Sequence, residues 1–152
     1  MGGEHGETLR VLEKMIMKYL DVTEIDRILV QAAIEVVTKN YREERHTVGA
    51  AVLCASGKIY TGVNVDSCGY GPCAEPIAIG AAVSQGERKF AAVVAVGGGN
   101  RNFPVIPPCG NCRQLIWDYA PDAAVLLDKD GELIKVSIGD LLPMAYRNFY
   151  DS

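Results

Sequence analysis

The segment GPCAEPIAIG, residues 71–80, sets the thiol of Cys73 and the carboxylate of Glu75 two positions apart at the start of an apolar run. A second segment, PPCGNCRQ at residues 107–114, adds Cys109 and Cys112 with two residues between them. A C-x-x-C pair brings two sulfurs to one side of a turn, and a third thiolate from another helix start supplies three corners of a tetrahedral metal site. Three protein ligands with an open fourth position are the arrangement of catalytic zinc, which lowers the pKa of water from about 15.7 to about 7. Glu75 then stands as a carboxylate near the metal, free to carry a proton. Two other chemistries fit the same residues. CGNC at a helix start resembles a dithiol redox pair using Cys109 and Cys112, and Cys68, in a C-x4-C spacing with Cys73, could close a structural zinc site of four thiolates. Cys54 ends an apolar strand and reads as a small core residue.

The elements that must position these groups follow from periodicity. Residues 1–22 read as an N-terminal extension: a polar, glycine-rich start, then Leu9, Leu12, Ile16 and Tyr19 at helical spacing. Residues 23–152 read as the domain that carries the cysteines. It opens on a helix with Thr23 as N-cap, Asp26 three residues on, and Ile25, Ile28, Leu29, Ala32, Val36 and Val37 as its apolar face. TVGAAVLC and KIYTGVNV, split by Ala55-Ser56-Gly57, predict a hairpin. A helix from Ala74 to Gln85 stops at Gly86, and a buried strand spans Ala91 to Val96. A helix opened by the second cysteine motif is closed by Pro121, strands follow at Ala123–Leu127 and Leu133–Ser137, and a short helix lies near Gly139–Leu142. GGGN, residues 97–100, reads as a loop at a strand end because no Lys-Ser or Lys-Thr follows it. Helices alternating with strands predict an α/β fold, a three-layer α/β/α sandwich around a central mixed five-stranded sheet.

Bulk properties narrow the partners. With 152 residues and 49% hydrophobic content, the chain can bury one good core but not two. A net charge of −4 with scattered basic residues argues against nucleic acid, which needs a concentrated positive face. No apolar run reaches the roughly 18 residues of a membrane span, and the N-terminus lacks the basic and apolar regions of a signal peptide. A cytoplasmic protein with reduced thiols is the expectation.

GPCAE together with PPCGNCRQ is similar to the C-x-E and P-C-x-x-C signature of the zinc-dependent cytidine deaminase family. TVGAAVLCASGKIYTGVNVD resembles that family's first hairpin and LLPMAY its closing segment, so the resemblance runs from about Thr23 to Tyr146. The short DSCGYGPCAE segment and GNRNFPVIPPCGNCRQ resemble the blasticidin S deaminase branch, whereas Asp66 resembles the sugar-binding acid of the cytidine branch. Opposite a substrate that carries a carboxylate on its sugar, Asp66 would repel.

The resemblance implies one zinc per chain, held by Cys73, Cys109 and Cys112, with Glu75 shuttling protons. It implies hydrolysis of a free cytosine nucleoside, cytidine or deoxycytidine, to the uracil nucleoside and ammonia; blasticidin S or another modified cytosine nucleoside is the alternative. Asn64 and Asp66 would hold the sugar, His46 would stand beside the substrate, the backbone at Ala74 and Pro108 would read the base, and Tyr146, with Phe149 and Tyr150, would close the pocket. It also implies a homotetramer and a place in pyrimidine salvage. Many relatives have an arginine where this chain has Pro76, so offsetting the charge of three thiolates on zinc falls to the helix N-termini and to Arg101 or Arg113.

Overall fold

The segments VGAAVLC and FAAVVAVG form strands without a polar side chain, because both faces of the sheet are covered by helices. The structure is a computed structural model that describes residues 5–9 and 17–147. Strand β1 spans Tyr19–Leu20 and helix α1 spans Glu24–Asn40; β2 (Val48–Cys54) and β3 (Ile59–Val63) form the hairpin, and α2 runs from Ala74 to Ser84. Strand β4 (Phe90–Gly97) leads through a 3-10 turn, Gly99–Arg101, to the short β5 (Val105–Ile106) and then to α3 (Gly110–Tyr119). The chain ends in β6 (Ala124–Lys129), β7 (Glu132–Ser137) and α4 (Ile138–Leu141).

The strand order is β1-β7-β6-β4-β2-β3, with β5 paired to β4. Only β4 and β6 run parallel, so the sheet is mixed. The five long strands are those expected; β1 and β5, two residues each, enlarge the sheet to seven. Alternation along the strands divides the core. Ala51, Leu53, Val94, Val96 and Leu126 face α1, while Ala50, Val52, Val93, Ala95 and Val125 face the layer of α2, α3 and α4.

Two glycines let the layers close. A β-carbon on Gly49 of β2 would run into the Ala33 carbonyl of α1 and sit 2.9 Å from Val37 Cβ. One on Gly62 of β3 would lie 2.7 Å from both the Ala78 nitrogen and Ile77 Cγ2 of α2. The helix that begins with Cys73 is therefore seated directly on the hairpin. At the far side of the sheet, Asp130 (φ 52°) and Gly131 (φ 84°) make the two-residue turn that returns β6 into β7.

Two expectations are corrected. The buried face of α1 is Asp26, Leu29, Ala33 and Val37, while Ile25 and Ile28 are 39% and 47% exposed. The cause is polar: Asp26 Oδ2 accepts bonds from the Thr23 backbone N–H (2.9 Å) and hydroxyl (3.1 Å) and from Lys135 Nζ of β7 (3.0 Å), which turns the carboxylate inward. Tyr19, expected on an N-terminal helix, lies in β1 opposite Val136. Residues 5–9 are helical with Leu9 exposed, whereas Leu12 and Ile16 fall outside the described residues.

Candidate active site

Cys73 is the N-cap residue of α2 and Cys109 the N-cap residue of α3, both in extended backbone, so each thiol stands at the end of a helix where unpaired N–H groups favour negative charge. Cys112 lies in the first turn of α3 and is buried. The sulfurs of Cys73 and Cys109 are 3.8 Å apart, those of Cys109 and Cys112 3.4 Å, and all three lie within 4.8 Å of one another. A tetrahedral zinc with Zn–S bonds of about 2.3 Å requires sulfurs about 3.8 Å apart, so the donor set fits the metal. Cys68 is exposed and stands outside this group, which leaves three thiols and no fourth among the described residues. That spacing lacks the fourth thiol a closed structural site needs, and Cys73 is a partner a dithiol redox pair does not require.

Glu75 is the second residue of α2 and only 4% exposed. On a regular helix it would point about 200° away from Cys73. Cys73, however, is a cap with extended backbone rather than a helical residue, and the Cys112 thiol lies close enough to Glu75 for each to shift the other. Burial pushes the Glu75 carboxyl above the usual carboxylate range, against the pull of its own backbone N–H and of Cys112. Burial and then the charge of Glu75 push the Cys112 thiol up; burial first, then Cys109 and Glu75, raise Cys73. At Cys109 burial also acts upward, but the Cys112 N–H and thiol, the Cys73 thiol and the Asn111 N–H outweigh it and lower the pKa. Pro76, third in α2, removes an N–H that has no helical partner at that position.

On the hairpin side, the Asn64 side chain clamps the open end of β2. Its Oδ1 accepts the N–H groups of Thr47 (2.8 Å) and Val48 (2.9 Å), which leaves Nδ2 without a partner among the described residues. His46 Nδ1 lies 2.8 Å from the Asn64 carbonyl, and since a carbonyl only accepts, this nitrogen carries the proton of the bond. Asp66 is exposed, its carbonyl accepting from Arg45 (3.0 Å). The loop that follows is short and self-bonded: Ser67 Oγ donates to the Tyr70 carbonyl (2.6 Å), and Val65 N–H reaches the Pro72 carbonyl (3.1 Å) just before Cys73.

Ala74 is fully buried beneath the start of α2, and Pro108 is buried before Cys109. Arg113 Nε donates to the Pro108 carbonyl (2.9 Å) and its Nη1 to the Leu141 carbonyl (3.2 Å), so a cation is fixed to the ligand-bearing loop. Arg101 is engaged elsewhere, its guanidinium 3.9 Å above the ring of Tyr41 at the end of α1. Tyr146 is tied to α3 by its carbonyl, which accepts from Gln114 (3.0 Å), while its ring is exposed; Phe149 and Tyr150 lie outside the described residues.

The Tyr41–Arg101–Phe103 stack had no sequence expectation. Its only signal is the glycine run of residues 97–99, of which Gly98 and Gly99 take positive φ themselves, while Asn100, Arg101 and Phe103 adopt it without that freedom.

Residues 23–130 match the family model of the cytidine and deoxycytidylate deaminase zinc-binding region. The chain is 40% identical over 137 residues to the Blasticidin-S deaminase of Bacillus cereus, covering 86% of this chain and 98% of that protein. It is 36% identical over 106 residues to the cytidine deaminase of Halalkalibacterium halodurans, covering 67% and 78%. The crystal structure of cytidine deaminase from Burkholderia pseudomallei superimposes with a TM-score of 0.67 at 34% identity, over 82% of this chain and all of that one. That of the Mycobacterium tuberculosis cytidine deaminase does so with a TM-score of 0.68 at 31% identity, over 84% and 100%. The family region takes in both cysteine motifs and strands β2 to β6, and the chain therefore belongs to the zinc-binding cytidine and deoxycytidylate deaminase family.

Proposed function

We propose that this protein hydrolytically deaminates a free cytosine nucleoside, with cytidine or deoxycytidine as substrate. The observation that carries the reading is the meeting of three thiols, spaced for one zinc, with a buried carboxyl. Cys73, Cys109 and Cys112 would hold the metal, which supplies Lewis acidity that brings water toward ionisation near neutral pH. Glu75 takes the proton of the attacking water and delivers it to the ring nitrogen beside the amino-bearing carbon. The same carboxyl then moves the hydroxyl proton to the amino group, which departs as ammonia and leaves a carbonyl; one water is consumed and the protons balance. Its burial suits this role, since burial raises the carboxyl's pKa and lets it hold a proton more readily than an exposed carboxylate would.

Asn64 would offer its free Nδ2 to a sugar oxygen, with Asp66 and His46 beside it, and the backbone at Ala74 and Pro108 would read the base. Arg113, fixed to the Pro108 carbonyl, is the better placed of the two arginines to offset the thiolate charge. Tyr146 would close the pocket from this chain or a neighbour in a homotetramer. Residues 23–152 would form the catalytic domain behind the extension of residues 1–22, in a cytoplasmic enzyme of pyrimidine salvage. Among the described residues no helix is long and apolar enough to cross a membrane.

Blasticidin S is the second candidate substrate, favoured by similarity along 98% of the B. cereus protein. Ammonia release from cytidine, deoxycytidine and blasticidin S decides between them. Glu75→Gln should retain zinc and lose at least about 100-fold in kcat, since it removes the proton carrier and spares the thiols. Undiminished turnover in that variant would sink the mechanism.

A further inference from the structure

Arg113 and Gln114 follow Cys112 directly on α3, and between them they hold the chain after β7 at two points, Leu141 and Tyr146. We propose that the pair are positioning residues: they tie the segment that carries Tyr146 to the turn that carries Cys109 and Cys112, so that zinc occupancy and the placement of this segment form one linked equilibrium. The proposal rests on the reading of Cys73, Cys109 and Cys112 as zinc ligands, and it adds a mechanical role for Arg113 to the charge it brings.

Arg113 bridges two backbone carbonyls. Its Nε donates to Pro108 (2.9 Å), in the peptide that leads into Cys109, and its Nη1 to Leu141 (3.2 Å), the last residue of α4. Its own backbone N–H closes the first turn of α3 on the Cys109 carbonyl (2.9 Å). One residue thus grips the metal loop through both its backbone and its side chain. A guanidinium is a planar, rigid fork, so a shift of the Pro108 peptide is passed to the end of α4, and the reverse. Helix α4 lies beside α3 here: Ile138 is fully buried, and a β-carbon on Gly139 would stand 3.5 Å from Cζ3 of Trp117.

Gln114 holds the next stretch. Its Nε2 donates to the Tyr146 carbonyl (3.0 Å) and to Asp118 Oδ1 (2.9 Å), which uses both hydrogens of the amide. Among the described residues, this is the one hydrogen bond that joins residues 143–147 to α3 or to the sheet. Between the two fixed points the chain arches, and Met144 takes a φ of 56° with its side chain fully exposed. A left-handed methionine with no packing around it is a disfavoured conformation, so the attachments at either end are what impose it.

The first turn of α3 and the peptide before it, which zinc would fix, are the supports of both attachments. Coupling between two sites is reciprocal: whatever the metal contributes to holding the segment, the segment contributes to holding the metal. A cation that served charge balance alone would need neither the Leu141 carbonyl nor a rigid fork.

Two rates measured without any nucleoside test this linkage. One is the transfer of zinc from the loaded protein to a chromogenic chelator; the other is chymotryptic cleavage after Tyr146, followed by mass spectrometry. Arg113→Lys keeps the charge and lacks the fork, and it should release zinc and be cut at least about tenfold faster, the scale of one hydrogen bond from a charged group. Gln114→Leu changes an exposed side chain, and it should speed both rates by about 2- to 10-fold, the scale of one neutral hydrogen bond. Melting curves verify that both variants fold. Parent-like rates in Arg113→Lys would leave charge as its sole role and overturn the proposal. So would a Gln114→Leu protein that is cut faster yet holds zinc like the parent, because the segment would then ride passively on α3. A parent protein that retains no zinc overturns the linkage and the metal reading together; a zinc-holding parent with unchanged variants overturns the linkage alone. Absence of ammonia release from cytidine, with both rates responding as expected, would reject the deaminase reading and keep the linkage.

Discussion

Gly62 has no side chain to offer to the chemistry, yet replacing it with alanine should damage the active site. The added β-carbon would stand 2.7 Å from the Ala78 nitrogen and from Ile77 Cγ2. Carbon and nitrogen atoms not bonded to each other rest about 3.5 Å apart, so one element must yield by about 0.8 Å. The obstacle includes helix backbone and β2 holds β3 from its other side, so α2 is the part that moves. With it go Cys73 at its cap and Glu75 in its first turn, while Cys109 and Cys112 stay on α3. A sulfur triangle with edges of 3.4 and 3.8 Å is thereby pulled open. Overpacking of this kind costs about 1–3 kcal/mol, or about 2–12 °C in Tm for a chain of this size. A displacement of about 1 Å at reacting groups costs about 100-fold in rate, so Gly62→Ala should lose between about 10- and 100-fold in kcat and bind zinc more weakly. Gly80 on the same helix is the control: its β-carbon would meet nothing within 4 Å, and Gly80→Ala should stabilise by about 0.5–1 kcal/mol with full activity. The reasoning is refuted if Gly62→Ala melts and turns over like the parent.

Other substitutions probe separate parts of the structure. Cys112→Ser should lose zinc, whereas Cys68→Ser should keep one zinc per chain by metal analysis; loss of metal in the latter would restore the four-thiolate alternative. Lys135→Met leaves the fully buried Asp26 with a charge and no cation and should destabilise by about 3–5 kcal/mol in urea titration. Burial, then the neighbouring Glu87, lifts the Cys54 thiol to about 11 from an ordinary 9.0, so its proton is held more tightly in the folded state. That contribution is fully present below pH 9 and disappears as pH rises through 11. A two-unit gap bounds it at about 2–3 kcal/mol, and Cys54→Ala should flatten the alkaline part of the stability curve by that amount.

The chemical centre was legible in sequence because its signals are short in range. Cys109 and Cys112 are fixed relative to one another by a single helical turn, and Cys73 with Glu75 by another. Their meeting needs only the usual adjacency of helices on one face of a sheet. The rotation of α1 was not legible, because Ile25 and Ile28 look like core residues until Lys135, more than a hundred positions away, draws Asp26 inward. The substrate side was legible only as a set of names. Nothing near Asn64 in the sequence indicates that its carbonyl oxygen is consumed by Thr47 and Val48, and no propensity predicts left-handed backbone at Arg101 and Phe103.

The clamp on β2 has a consequence for what the site can accept. With Oδ1 turned to two backbone donors, the amide of Asn64 can rotate no further, so its outward edge is purely a donor. An approaching group is screened by polarity before shape: an oxygen lone pair is welcome and an N–H is not. Aspartate at this position would preserve both bonds to the hairpin while reversing that outward sign. A framework acceptor and an outward donor thus share one amide, Oδ1 serving the hairpin and Nδ2 facing away from it.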